Sequence, residues 1–383
     1  MKNNRPSAKF IIRLVFIFAG LWLWACLSVP IDTASNFAKL FPPVENILQA
    51  QFTRVKGNAQ KNSVLDVGGP ESWYSDIVSL PTVDFDGKAF RMWFTGAAKT
   101  DDPSIPYGSY EQIGLAISLD GINWTVANDG KPVFTPQEMD GFDRKGVTHP
   151  NVLRVGEKFL MWYGGIDGTL AKDLGLERGN VRVERIGLAI SEDGIQWKRA
   201  NGGNPVLDIG PPGSIDSVQA TGMHVLMIKK EFVMWYGAYG GQHKLGIATS
   251  FDGIHWTKEN GGRPVSGLLG EEQLGPSVYF DGHRYLLFYS TVVNQQWVMF
   301  AASSPDGVNW LPLNYPVLDQ APEDNFDSAG PGRNHSVHPS QLIFFNPKAL
   351  FFFGPKALLL YGGEDSEPPN YQRIGLMEAV LTH

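Results

Sequence analysis

Six carboxylates and two histidines carry most of the chemistry this chain of 383 residues offers. Asp76, Asp143, Asp216, Glu271, Glu272 and Asp327 stand in connections between apolar segments, and His149 and His338 each precede a proline in matching segments. Two carboxyls held in different surroundings, one with a raised pKa, form a general acid and a general base. Imidazoles near neutral pH move protons, bind metals or hydrogen-bond to hydroxyl groups. His335 and His338 are three apart, a spacing that sends them to opposite faces of a strand, so a metal centre is not the expectation. The lone cysteine, Cys26, excludes an internal disulfide framework and any multi-cysteine metal site.

The segments that position these groups form a repeat. Ile113-Gly-Leu-Ala-Ile-Ser-Leu-Asp-Gly-Ile-Asn-Trp124 returns as residues 186–197 and 245–256, and in shortened form as 300–310. An aromatic segment precedes each copy: Met92-Trp-Phe, Met161-Trp-Tyr, Met234-Trp-Tyr and Leu287-Phe-Tyr, with a fifth at Leu359-Leu-Tyr. The Asp-Gly pairs begin at 120, 193, 252 and 306, a mean spacing of 62 residues. Asp-Gly suits a tight hairpin with positive φ at both positions. Each period therefore reads as a four-stranded antiparallel meander, and radial repetition of such units makes a β-propeller. The fifth unit lacks its Asp-Gly and Trp, while Val64-Leu-Asp66 copies Val206-Leu-Asp208 and Val317-Leu-Asp319. The expectation is an all-β, five-bladed β-propeller over residues 63–383, its ring closed by an N-terminal strand in the last blade, leaving no open edge.

On these motifs the chain resembles the five-bladed β-propeller glycosidase superfamily of arabinanases, levansucrases, invertases, β-xylosidases and β-mannoside phosphorylases. The resemblance spans residues 64–380 and implies an axial pocket in which acidic residues from different blades converge on a sugar. Cleavage of a glycosidic bond needs two carboxyls. Strand direction puts the Asp-Gly turns on the face away from that pocket, so Asp120, Asp193, Asp252 and Asp306 read as turn caps, and Trp124, Trp197, Trp256 and Trp310 as packing between blades. The pocket face receives the residues before each first-strand proline or its equivalent: Leu80, His149, Gly222, Gly275 and His338. Asp143, Asp216 and Asp327 each follow an apolar residue at the same point of the repeat, whereas Asp76, Glu271 and Glu272 break it. The catalytic candidates are Asp76, Asp143, Glu271 and Glu272; Trp73, His149, Asp216, Asp327, Arg333 and His338 are candidates for binding substrate. Long second-to-third-strand connections in blades 5, 1 and 2 wall one side, and Tyr107, Tyr110 and Trp297 suit a chain-like glycan. Where arabinanases carry an Asp-Pro base in the first blade, this chain has Leu80-Pro81, and the alternative function is a carbohydrate-binding or protein-interaction propeller without catalysis.

Composition agrees with this reading. Charged residues are 19%, the net charge is -7 and no basic tract occurs, which excludes nucleic acid as a main partner. The 43 glycines, 26 prolines and 12% aromatics suit a chain of short strands and many turns. Residues 1–29 open with Lys2, Arg5, Lys9 and Arg13, then run apolar over 14 residues from Leu14 to Leu27, against about 20 for a spanning helix. They read as a signal peptide or N-terminal membrane anchor, with Leu23-Trp-Ala-Cys26 similar to a lipoprotein signal, and residues 30–62 as a spacer. The expected protein is exported to the periplasm or cell surface, tethered to the membrane, and monomeric. It takes carbohydrate as its partner and uses no cofactor.

Overall fold

The computed structural model describes residues 42–137, 140–176, 179–294, 296–318, 327, 337–345, 356–364 and 371–381. The segment read as a signal, together with Arg333 and His335, lies outside them. Among the described residues no helix is long and apolar enough to cross a membrane.

The chain is all-β. After a short helix, α1 (Val44–Gln49), and a two-residue strand, β1 (Thr53–Arg54), the strands pair as successive antiparallel meanders. The first comprises β2 (Ile77–Phe85), β3 (Phe90–Lys99), β4 (Ser109–Ser118) and β5 (Thr125–Val126); the second, β6 (Gly146–Val155), β7 (Lys158–Leu170), β8 (Arg182–Ser191) and β9 (Lys198–Arg199). The third is β10 (Gln219–Ile228), β11 (Glu231–Tyr239), β12 (His243–Ser250) and β13 (Thr257–Lys258); the fourth, β14 (Leu274–Phe280), β15 (Tyr285–Val293), β16 (Gln296–Ser304) and β17 (Leu311–Pro312). The last has β18 (Val337–Phe345), β19 (Lys356–Glu364) and β20 (Gln372–Val380), and β1 pairs with β20 through Thr53 and Glu378.

Each meander is apolar on both faces, because Met-Trp-Tyr and Ile-Gly-Leu-Ala segments alternate large side chains to either side. It must therefore be covered twice. The buried clusters lie between consecutive meanders: Trp93 and Leu115 meet Val147 and Met161, and Trp162 and Leu188 meet Val225 and Met234. Val78, Met92 and Phe94 of the first meander pack with Leu358, Leu360 and Ile374 of the last.

Polar contacts set the spacing. The indole N–H of Trp93 donates to the Gly194 carbonyl at 2.8 Å, Trp162 to Gly253 at 3.0 Å, and Trp235 to Gly307 at 2.8 Å, each reaching into the turn of the following meander. These glycines have φ of 79°, 76° and 75°, and a Cβ there would meet the indole at 2.7, 3.0 and 2.8 Å. The Asp-Gly motif is thus a socket for a neighbour's tryptophan. Its aspartates are not at positive φ, contrary to the two-residue hairpin expected. They cap a longer loop instead: Asp193 Oδ1 accepts the N–H groups of Ile195 and Gln196, both at 2.8 Å. The motif tryptophans lie edge-on to the buried ones, Trp197 to Trp93 at 6.1 Å and Trp256 to Trp162 at 6.0 Å.

Residues 42–62 are not a spacer. Val44 and Ile47 are buried against Leu286, Met299 and Met377, and the Val44 N–H donates to Asp281 Oδ2 at 2.9 Å. Their apolar side chains are continuous with the core of the last two meanders, which is why the segment folds onto it rather than standing free.

The first strands are tied to one another by side chains at one register. Thr82 Oγ1 accepts the Val152 N–H, Asn151 Oδ1 accepts that of Val225, and Gln341 Oε1 accepts that of Val83. His224 holds the same place in β10, and its buried Nδ1 finds no partner among the described residues. Burial alone pushes its pKa down to about 4.

Two outcomes follow. Trp162→Ala removes a fully buried indole and its hydrogen bond and should lower stability by about 3–5 kcal/mol in urea unfolding. His224 must stay neutral in the fold, so the unfolded chain binds the extra proton between its ordinary pKa near 6.5 and the folded value. Stability then falls as pH drops through that window, by up to about 3 kcal/mol, and His224→Asn should flatten that part of the pH–stability curve.

Candidate functional site

Every first strand is interrupted at one point. Pairing with the second strand slips after Ser79, Thr148, Thr221, Leu274 and Pro339. At four of these bulges the backbone is left-handed: Leu80 (φ 54°), His149 (51°), Gly222 (54°) and Gly275 (60°). A bulge re-aims one side chain and ends regular pairing, and a non-glycine residue held there stores strain of order 1 kcal/mol. Glycine at 222 leaves room for the imidazole, since a Cβ would lie 3.3 Å from His149 Cδ2.

The bulges of β2 and β6 border a cavity of about 210 Å³ lined by Leu80, Thr95, Glu111, Thr148, His149, Arg182, His338, Glu364 and Gln372, among others. Its polar centre is Arg182, on β8 and buried. Nη1 donates to Glu111 Oε1 at 2.5 Å, Nη2 to Glu111 Oε2 at 3.3 Å, and Nε to Glu184 Oε1 at 2.6 Å. Burial by itself raises the pKa of Glu184, but the Arg182 charge, with His149 and the Thr221 hydroxyl, holds it below the ordinary carboxylate value. Tyr107 closes this side: its ring lies 5.1 Å from the guanidinium, and its hydroxyl accepts the Arg182 backbone N–H. His149 Nδ1 lies 3.1 Å from Thr148 Oγ1 and 4.0 Å from Glu184 Oε2. Burial lowers the His149 pKa and outweighs the opposing pull of Glu184 and Glu111, leaving a neutral imidazole at pH 7.

Of the residues singled out from sequence, His149 and His338 line this cavity. The other catalytic and substrate-binding candidates among the described residues do not. Asp143 is fully buried, accepting from the Tyr163 hydroxyl at 2.9 Å and Arg199 Nε at 2.7 Å. Asp216 does the same with Tyr236 and Lys258, and Asp327 with Tyr361 and Arg54. In each case a linker aspartate is held by a second-strand tyrosine and an outer-strand cation, so these three carboxylates fasten connections and do not line the cavity. Trp73 caps the first meander, its ring stacked on Phe94 at 5.9 Å and its N–H given to the Gly130 carbonyl. Asp76 is one residue before the cavity-lining Ile77 and pairs with Lys99 at 3.3 Å. Glu272 accepts the His243 N–H at 2.6 Å, and Glu271 is exposed beside it; neither lines the cavity.

Glu111, Glu184, Arg182 and Glu364 were not foreseen. Glu111 and Glu184 stand two residues before the Ile-Gly of the repeat, where β12, β16 and β20 place His243, Trp297 and Gln372. Glu364 opposes Gln372 in the pairing of β19 with β20. The equivalent positions of the other meanders are Ala97, Ile166, Tyr239 and Val292. A carboxylate in that apolar series was the available signal.

No family model matches the chain. The uncharacterized protein Rv1502 of Mycobacterium tuberculosis is 26% identical over 271 residues, 68% of this chain and 84% of that protein. The beta-1,2-mannobiose phosphorylase of Thermoanaerobacter sp. (strain X514) is 27% identical over 172 residues, 43% of this chain and 50% of that one. Among solved structures, a glycoside hydrolase superposes with a TM-score of 0.63 at 17% identity, covering 87% of this chain and 93% of its own. A family 117 glycoside hydrolase of Zobellia galactanivorans gives 0.59 at 16%, covering 87% and 91%. A glycoside hydrolase of the GH130 mannoside phosphorylase family, described as targeting β-1,2 mannosidic linkages in Candida mannan, gives 0.59 at 16%, covering 85% and 93%. The fold is that of the propeller glycoside hydrolases.

Arg182→Met leaves Glu111 and Glu184 buried without a cation and should cost about 3–5 kcal/mol in thermal or urea unfolding at pH 7. Without Arg182 the carboxyl pKa of Glu184 rises above its unfolded value, so the loss should shrink as pH is lowered towards 4; a deficit independent of pH would contradict the ion-pair assignment.

Proposed function

We propose that the chain is a five-bladed propeller, closed by β1 in the last blade, that binds and hydrolyses glycosidic bonds in the cavity at the mouth of its axis. Closure is supported by the Val83–Gln341 hydrogen bond, by the packing of Leu358 and Leu360 on the first meander, and by Arg54, which holds Asp327 as Arg199 holds Asp143. The observation that carries the function is a cavity on a glycoside hydrolase fold walled by two carboxylates from different blades, Glu111 and Glu364, with a neutral His149 beside them. Glu111, bonded to Arg182, is the carboxylate that activates water; Glu364, from the adjoining blade, delivers the proton to the leaving oxygen. His149 and His338 hydrogen-bond to sugar hydroxyls.

Phosphorolysis is the second reading, favoured by the likeness to beta-1,2-mannobiose phosphorylase. Against it, three donors of Arg182 are already given to Glu111 and Glu184, and those two carboxylates outnumber the one guanidinium, a balance that repels an anionic nucleophile. The proposed location is outside the cytoplasm, on the strength of residues 1–29, with the membrane reached through that segment.

The test is turnover of β-1,2-linked mannosides, other oligosaccharides and aryl glycosides, with and without inorganic phosphate. Glu111→Gln and Glu364→Gln should each lower kcat by about 10²–10⁴-fold, whereas Asp143→Asn should show its effect in stability. Turnover that requires phosphate would favour the second reading; glycan binding with no turnover would make this a binding propeller.

A further inference from the structure

The starts of the third strands fall into two chemically distinct groups, one lining the cavity through Glu111 and one beside it. At the start of the third strand the first two meanders carry Glu111 and Glu184, both tied to Arg182, while the third and fourth carry His243 and Trp297. Trp297 meets His338, a residue of the cavity wall, edge to face at 5.7 Å. On its other side it meets His243 at 6.1 Å, and His243 lies on Tyr239 at 4.6 Å. The four rings thus run in file from the cavity across the fourth meander to the third. All four are partly exposed.

The two groups are also covered differently. Over the acidic group, the connection from β3 to β4 folds back so that Tyr107 lies on Arg182 and Ser104 accepts a hydrogen bond from Lys145 Nζ at 2.6 Å. Over the aromatic group, the connection from Tyr239 to His243 is only residues 240–242, and that from β15 to β16 is only 294–295. Glu272 accepts the backbone N–H of His243 and Gln273 donates to its carbonyl at 2.9 Å, which fixes the strand end that bears the ring. Burial keeps the His243 imidazole neutral against the pull of Glu272 and Glu184.

We propose that the file His338–Trp297–His243–Tyr239 is a subsite for further sugar residues, so that the substrate is a glycan chain which leaves the cavity over the third and fourth meanders. A pyranose presents an apolar C–H face to an aromatic ring and hydroxyls to its edge, and the neutral His243 imidazole between Trp297 and Tyr239, with His338 at the cavity end, supplies both kinds of contact. On the opposite side, Tyr107 over Arg182 blocks an exit. The subsite rests on the carbohydrate reading of the cavity.

Calorimetric titration of the full chain with linear β-mannooligosaccharides of increasing length, beginning with the monosaccharide, separates the two ideas. Affinity should rise with length by about 3- to 10-fold on occupation of the aromatic subsite. Trp297→Ala should abolish that rise, and Trp297→Phe should restore part of it. His243→Ala serves as an independent variant, and thermal melting confirms that each is folded. A rise with length that survives both alanine variants, or no rise in the parent chain, would overturn the subsite alone. No sugar binding at any length by the parent chain would overturn the carbohydrate reading of the cavity and the subsite with it.

Discussion

A meander with two apolar faces cannot stand alone. Burying one face against a neighbour leaves the other to be covered, and the requirement passes along the chain until the last unit meets the first. The contact that sets this stacking is an indole laid into the turn of the next meander, its N–H on a glycine carbonyl. It fixes distance through the missing Cβ, direction through the hydrogen bond, and order through the fact that each tryptophan is read by the following turn. The residues around the cavity inherit their position from these contacts at the turns.

Against that regular background, the cavity is made of departures. In four first strands the residue at the slip is Leu80, His149, Gly222 or Gly275, while in the last the slip comes after Pro339 and His338 stays paired just before it. The start of the third strand is likewise one backbone position filled with two glutamates, a histidine, a tryptophan and a glutamine. Chemistry on such a scaffold is a matter of which unit carries which residue, while the backbone supplies the same aim to all of them. The buried tyrosine–aspartate–cation clusters show the converse. Three units keep them, and the first replaces them with Trp73, Tyr74 and Phe94 packed ring on ring, so the linker is fastened by aromatic contact where no charge is available.

The meanders were legible in the sequence because a long motif repeats, and the role of Asp120 and its equivalents followed from strand direction. The bulge residue His149 was legible for the same reason; His338, matched to it by its own His-Pro pair, lines the cavity from a paired position one register step earlier. Glu111, Arg182 and Glu184 were missed because they precede the shared Ile-Gly motif, in the stretch where the copies diverge and periodicity gives no register. Glu364 follows the last recognisable residues of its strand and becomes visible only when pairing sets it beside Ala97, Ile166, Tyr239 and Val292. Asp143, Asp216 and Asp327 drew attention because a carboxylate in a connection looks available; the tyrosine and the cation that hold each one come from strands distant in sequence. The two-residue strand β1 has no periodicity to read, although its Arg54 repeats the outer-strand cation of Arg199 and Lys258.

That last pairing has a bearing on how the molecule comes into being. Thr53 is bonded to a residue 325 positions later, and Arg54 to one 273 positions later. Synthesis makes β1 before any meander and gives it a partner only after all of them, so throughout elongation the growing stack has an unsatisfied first face and an idle leading strand. Contacts of such long separation slow folding and favour a late, concerted step. The strand made before every meander is therefore the last to find its place, and the finished sheet joins Thr53 and Arg54 to the strand made after all of them.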